Sequence, residues 1–251
     1  MQRLLLGTAA AVAMVGSAIA ADLPARPTKA PPAPPRVVGY NWTGCYVSGG
    51  GGYGMFNQDT TLVENGLSVP GDGTTGGRGW FGTVGAGCDL QIGERWVFGA
   101  FGDYDFSDLK GDLVVPATGD TGREKQDSAW AVGGRLGYTL TPTILTYINA
   151  GYTQARFDEF NLLRAGVPTE FSIGAQTYSG WFLGGGYEYR LEWFPGLFWK
   201  TEYRFAQYDK ESLAILAGGV PTNASLDSEK TVQTIRSQLV WRFNWGGGGR
   251  Y

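Results

Sequence analysis

The chain has 251 residues, 43% of them hydrophobic and 17% charged, a formal net charge of −3 and no histidine. That balance is too apolar for a disordered chain and too polar for a helical membrane bundle. Without an imidazole there is no Ser-His-Asp triad, no histidine zinc site and no histidine-ligated haem.

Met1, Gln2 and Arg3 form a short basic start, an apolar stretch follows over 4–15, and Ala18-Ile19-Ala20 fits a small-x-small cleavage site. Residues 1–20 therefore read as a secretory signal peptide rather than a retained helix, which Gly7 and Gly16 would weaken. Residues 21–38 read as a Pro-rich periplasmic tether, with six of the twelve prolines between Asp22 and Arg36 and almost nothing that packs. Residues 39–251 are expected to form a β-barrel. Removing the tether takes away Arg26, Lys29 and Arg36 but only Asp22, so the folded part is acidic. No nucleic-acid footprint is expected from it.

Period-2 alternation recurs over 41–53, 79–92, 96–106, 128–140, 144–157, 177–191, 197–208 and 231–245. These segments exceed the usual globular strand and suit a tilted bilayer crossing. The connections alternate long (54–78, 107–127, 158–176, 209–230) with short (93–95, 141–143, 192–196). That order predicts an all-β, eight-stranded antiparallel transmembrane barrel with both termini on the short-turn, periplasmic side. Pro70, Pro116, Pro168 and Pro221 are expected in the long loops, and Pro142 and Pro195 in the short turns.

The two faces of the alternation differ in kind. One carries Val84, Leu90, Phe98, Val132, Ile148, Leu183, Tyr203, Ile235 and Leu239, with Trp42, Trp80, Trp96, Trp130, Trp181, Trp199 and Trp241 toward its ends. Two tryptophan bands around an aliphatic belt predict aromatic girdles at the membrane interfaces, which a lipocalin-like barrel would not need. The opposite face carries Asp89, Asp103, Arg135, Glu188, Arg190, Lys200, Glu202, Arg204, Arg236 and Arg242. Charges removed from water are costly unless paired, so these ten residues are expected to neutralise one another in a plugged lumen. The alternative is a narrow porin-like channel for small solutes with a charged constriction.

The register that sets Tyr53 opposite Trp80 also sets Cys45 opposite Cys88. In an oxidising compartment the pair is either a disulfide or two small lipid-facing thiols. Gly49-x-Gly51-x-x-Gly54 lacks the helix a dinucleotide fingerprint requires and reads as strand glycine pressed by large side chains from across the barrel. Asp103-x-Asp105 reads as barrel filling rather than a metal pair. The acidic groups Asp112, Asp120, Glu124, Glu170, Asp209, Glu211, Asp227 and Glu229 read as a solvated loop surface. No cofactor and no metal are expected, and no catalysis, since a nucleophile here would need activation without imidazole.

Ala21-Asp22-Leu23-Pro24 with the Pro-rich tether, Tyr40-Asn41-Trp42-Thr43-Gly44, and the closing Trp241 to Gly247 resemble the small porin-like outer-membrane surface antigens of alphaproteobacteria. The resemblance spans the chain, with its specific motifs at the two ends. It implies an OmpA-like eight-stranded barrel in the Gram-negative outer membrane, in contact with outer-membrane lipid and lipopolysaccharide. It also implies a structural and surface-interaction role toward a host surface or other envelope proteins. The alternating Leu239, Trp241 and Phe243 would then be read by the barrel-assembly machinery during insertion.

Overall fold

The computed structural model describes residues 40–115 and 118–243; the expected signal peptide, the tether, Pro116 and the residues from Asn244 to Tyr251 lie outside the described residues. The described chain is all β: β1 (Gly44–Glu64), β2 (Leu67–Ile92), β3 (Trp96–Val114), β4 (Thr121–Thr141), β5 (Ile144–Phe157), β6 (Phe160–Arg164), β7 (Val167–Ile173), β8 (Gln176–Arg190), β9 (Leu197–Tyr208), β10 (Glu211–Ala217) and β11 (Val220–Phe243). All pairings are antiparallel. They run β1-β2-β3-β4-β5-β8-β9-β11, and β11 returns to β1, closing a ring of eight strands. Closure satisfies every strand edge from within, which is what a sheet needs if no water is available at its rim.

The structure departs from the sequence expectation in the long connections. Residues 54–78 and 107–127 are mostly strand, because β1, β2, β3 and β4 run on well past the expected ends, and β6, β7 and β10 occupy parts of the other two. The extended ends pair in a second circuit: β4 with β6, β6 with β7, β7 with β10 and β10 with β11. Together with β11–β1, β1–β2, β2–β3 and β3–β4 this closes another ring of eight above the first. In it β6, β7 and β10 take the places held lower down by β5, β8 and β9.

The distal hairpins turn on two residues each, Asn65-Gly66, Ala165-Gly166 and Gly218-Gly219, with φ of 53° and 80°, 50° and 81°, and 57° and 82°. Two consecutive positive φ values give the turn whose twist matches paired strands. Pro70, Pro168 and Pro221 therefore lie within strands, at the beginnings of β2, β7 and β11, rather than in loops. A missing N–H is tolerated at a strand's start. Thr169 and Thr222, one residue after Pro168 and Pro221, each donate a hydroxyl hydrogen bond of 2.8 Å back across their hairpin, to the Leu162 and Ile215 carbonyls.

The two rings have opposite polarity. Inside the second ring lie Leu62, Leu109, Leu113, Leu162, Ile173, Leu213, Ile215 and Leu226, all buried, as in a water-soluble barrel. The first ring instead buries charge and turns Val84, Leu90, Phe98, Val132, Ile148, Leu183, Ile235 and Leu239 outward. Hydrophobic burial drives the second ring to close in water; the first makes sense only in an apolar solvent.

Glycine and aromatic residues are used together. The interior ring of Phe182 leans over Gly133 and Gly151, and that of Phe81 over Gly52, so that a Cβ at any of the three would fall 2.4 to 2.9 Å from a ring carbon. A strand glycine loses packing of its own, and an aromatic neighbour lying over it restores the burial. This is why a chain so rich in both residue types makes a compact narrow barrel.

Candidate functional site

Girdles come first, because they fix where the bilayer would lie. Trp80, Trp96, Trp130, Trp181, Trp199 and Trp241 all point outward, between 36% and 72% exposed. Each of the spans Trp96–Tyr104, Trp130–Tyr138 and Trp181–Tyr189 joins the two bands over eight residues of one strand. That is about 26 Å of strand, which a tilt of roughly 35–45° reduces to about 20 Å of height, so that the two ring bands lie just inside the edges of the roughly 25 Å apolar band of such barrels. Trp42 is a correction. It is fully buried inside the short-turn end of the ring, with the Arg242 guanidinium 4.8 Å over its ring. It precedes β1 and folds inward to cover a charge, so it belongs to no girdle.

Three layers of polar side chains fill the interior. At the short-turn end Arg135 of β4 donates to Asp89 of β2 through Nε at 2.7 Å and through a second, very short bond. Arg242 of β11 donates to Asp89 at 2.7 Å and to Glu188 of β8 at 2.6 Å, and Arg135 lies 3.2 Å from the same Glu188. Tyr46 lies between the two guanidinium groups, 4.6 Å from one and 5.0 Å from the other. Arg190 stands apart at the mouth, its guanidinium 5.2 Å over Tyr40.

In the middle layer Arg204 of β9 holds Asp103 of β3 by two hydrogen bonds, at 3.0 and 2.8 Å, and Glu202 at 2.8 Å. Arg236 of β11 donates to Asp103 at 3.2 Å and to Asp105 at 3.1 Å. Glu202 also accepts from the Tyr147 hydroxyl and the Asn149 amide, at 2.9 Å each, and lies 3.6 Å from the Lys200 ammonium. The Phe182 ring covers Arg204 at 4.3 Å. Asp89, Asp103, Asp105, Glu188 and Glu202 thus meet Arg135, Lys200, Arg204, Arg236 and Arg242, five charges of each sign. Planar guanidinium groups suit this, because they hydrogen-bond in the plane and stack on aromatic rings above it. A cavity lined by Asp105, Gln126, Thr153, Arg204, Tyr208, Thr234 and Arg236 measures about 20 Å³, close to the space of a single water.

The third layer lies beyond the upper girdle, in the second ring, and the sequence reading missed it. Lys230 of β11 donates to Gln58 of β1 at 2.5 Å and to the two oxygens of Glu124 of β4 at 2.7 Å each. Phe157 and Tyr178 line its ammonium at 4.4 and 4.9 Å. Glu124 was expected on a solvated loop surface and is instead buried. Burial pushes its carboxyl above the usual range and pushes the Lys230 amine down to about 8, since taking either group out of water disfavours its charged form. Of the other acids expected there, Asp120 accepts two hydrogen bonds of 2.8 Å from Arg164 of β6, and Asp227 pairs with Lys210 at 2.9 Å.

On the outer face, Tyr53 pairs with Trp80 and Cys45 with Cys88, and the two cysteines are joined in a disulfide. Gly49, Gly51 and Gly54 lie within β1.

A closed antiparallel ring, an apolar belt between two aromatic bands and an ionic interior define an outer-membrane β-barrel protein. The family described as outer membrane protein beta-barrel domain matches residues 8–243, and the chain belongs to it. It is similar to the 31 kDa outer-membrane immunogenic protein of Brucella melitensis, 29% identical over 97% of this chain and the whole of that one. It is also similar to the 25 kDa outer-membrane immunogenic protein of Brucella abortus, 27% identical over 84% of each. Among solved structures, the outer membrane protein OprG of Pseudomonas aeruginosa shares the fold, with a TM-score of 0.57 at 12% identity over 82% of this chain and 99% of that one.

Proposed function

We propose that the first ring is an eight-stranded transmembrane wall whose lumen is sealed by the ion-pair network, and that the protein works as a rigid envelope and surface-display element without catalysis. The observation that carries this is the middle layer, where Arg204 and Asp103 meet from opposite walls and Glu202, Arg236 and Asp105 fill the space beside them. Eight strands leave an interior that side chains can fill, and these ions are compensated where they stand.

In this reading the short turns and both chain ends face the periplasm, and the second ring stands outside the cell. The turns at Asn65-Gly66, Ala165-Gly166 and Gly218-Gly219 are then the outermost points, available to host surfaces or other envelope proteins. The immunogenic character in the names of the Brucella relatives supports such exposure. The outward Leu239, Trp241 and Phe243 of β11 would serve the barrel-assembly machinery as the strand it reads on insertion.

The test is single-channel recording of purified protein in planar bilayers. A sealed lumen gives no reproducible unitary steps. Discrete openings of constant size would overturn the plug in favour of a small-solute channel.

A further inference from the structure

A second polar constellation lies on the outside of the barrel, where the girdle meets the second ring. Two adjacent rows of paired residues share the outer face. One row runs Tyr104, Trp130, Gln154, Ser179 across β3, β4, β5 and β8; the next, farther from the short turns, runs Phe106, Ser128, Arg156, Thr177. Between them is a crevice of about 170 Å³ lined by Tyr104, Ser128, Trp130, Gln154, Arg156 and Thr177. Its floor is ordered: the Trp130 indole donates to the Gln154 carbonyl oxygen at 3.2 Å, and the Gln154 amide donates to the Tyr152 hydroxyl at 3.0 Å and to Ser179 Oγ at 3.1 Å.

Arg156 is exposed and has no carboxylate partner among the described residues, unlike Lys125, which has Asp108, Asp127 and Asp158 each 3.8 Å away. It stands one pairing row past Trp130, the depth at which lipid headgroups begin. A guanidinium there, flanked in its own row by two hydroxyls, is shaped to take a phosphate through parallel hydrogen bonds. Below it Trp130, Val132 and Leu183 offer an apolar face to acyl chains. Farther round the same face Lys110 lies 2.9 Å from Asp108 and Lys125 is matched by its three aspartates, so those two cations are already compensated, whereas Arg156 is not.

We propose that this crevice is a binding site for the phosphate of an outer-leaflet glycolipid headgroup, with Arg156 as the phosphate ligand, Ser128 and Thr177 beside it and Trp130 under the first acyl segment. The inference rests on the orientation proposed above, with the second ring outside, and is independent of whether the lumen conducts.

Native mass spectrometry of the detergent-extracted protein tests it, using bisphosphorylated lipid A, the same lipid stripped of phosphate, and phosphatidylglycerol. The proposal expects lipid A adducts on the unaltered protein. Arg156→Gln lowers them about fivefold, the effect of one basic side chain near an anionic surface, and removing the phosphates lowers them similarly. Arg95→Gln, at the short-turn end where Arg95 donates to the Tyr138 hydroxyl, leaves them unchanged, and excess inorganic phosphate does not displace the lipid. Equal binding by unaltered and Arg156→Gln protein, each with heat-modifiable gel mobility intact, overturns the site. Arg156-dependent preference for phosphatidylglycerol over lipid A overturns the outer-leaflet assignment and, with it, the orientation; proteolysis of the second ring on intact cells reads the orientation separately.

Discussion

Arg204 of β9 and Asp103 of β3 join opposite walls of the ring, with β4, β5 and β8 between them on one side and β2, β1 and β11 on the other. A bond between neighbouring strands repeats what the backbone ladder already does. A bond across the diameter fixes the ring's cross-section. Arg204→Met leaves Asp103 and Glu202 short of positive charge inside the ring. It is expected to cost about 3–5 kcal/mol, as breaking one side of a buried pair does. The readout is the temperature at which the protein shifts from its compact to its unfolded gel mobility. Combining Arg204→Met with Asp103→Asn is expected to recover part of that loss, and a single variant as heat-resistant as the parent would contradict the network's role.

Lys230 and Glu124 test the second ring, where pH can be used. In Lys230→Met the buried Glu124 loses its partner and stays folded most readily when protonated. A carboxyl whose folded pKa lies above its unfolded value contributes stability below the unfolded pKa and loses it as pH rises through the folded one. Protease resistance of the second ring in Lys230→Met is therefore expected to fall as pH rises above the ordinary carboxylate range. Lys230→Met with Glu124→Gln should show no such slope, and its presence there would assign the effect to another group.

Crowding at strand glycines gives a sharp contrast. A Cβ on Gly151 would sit 2.1 Å from the Val132 carbonyl oxygen and 2.9 Å from Phe182, whereas one on Gly49 meets nothing closer than 4.0 Å. Gly151→Ala is expected to destabilise by about 1–3 kcal/mol, the usual cost of overpacking, and Gly49→Ala to be neutral. Refolding yield into detergent micelles measures both.

Cys45 and Cys88 close a span of 43 residues. Alkylation under denaturing conditions should add no label before reduction and two after it, by intact mass. Cys45→Ser with Cys88→Ser is expected to lower stability by about 2–4 kcal/mol, the common range for such a link. Two labels without reduction would show that the link does not form.

Ala165 takes a left-handed conformation, φ 50°, at a place where the two matching hairpins use Asn65 and Gly218. Ala165→Gly relieves roughly 1 kcal/mol of local strain. It should slow amide hydrogen exchange at the β6–β7 hairpin, and faster exchange would argue against the assigned turn.

What could be read from sequence followed the physics of a single solvent boundary. Alternation separated Glu202 from Tyr203 and Arg236 from Ile235 because a two-residue period leaves no other choice once the strand exists. Antiparallel pairing also carried the Tyr53–Trp80 register down to Cys45 and Cys88 without further information. The second ring was hidden because its polarity reverses. Along β1 the buried positions pass from Tyr46 through Phe56 to Leu62, and a reading that expects a polar interior takes Leu62 and its neighbours for loop. Lys230 and Glu124, 106 residues apart, and Trp42 under Arg242, 200 residues away, depend on closure of the whole ring. No local pattern records such meetings.

Five strands, β1 to β4 and β11, pass without interruption from the membrane ring into the ring above it. From Tyr53 at the upper girdle to Glu64 at the outermost turn of β1 is about 35 Å of continuous ladder. In the proposed orientation a molecule that grips a distal turn therefore pulls on a stiff mast rooted in the lipid, and the turn is held at a set height rather than on a swinging arm.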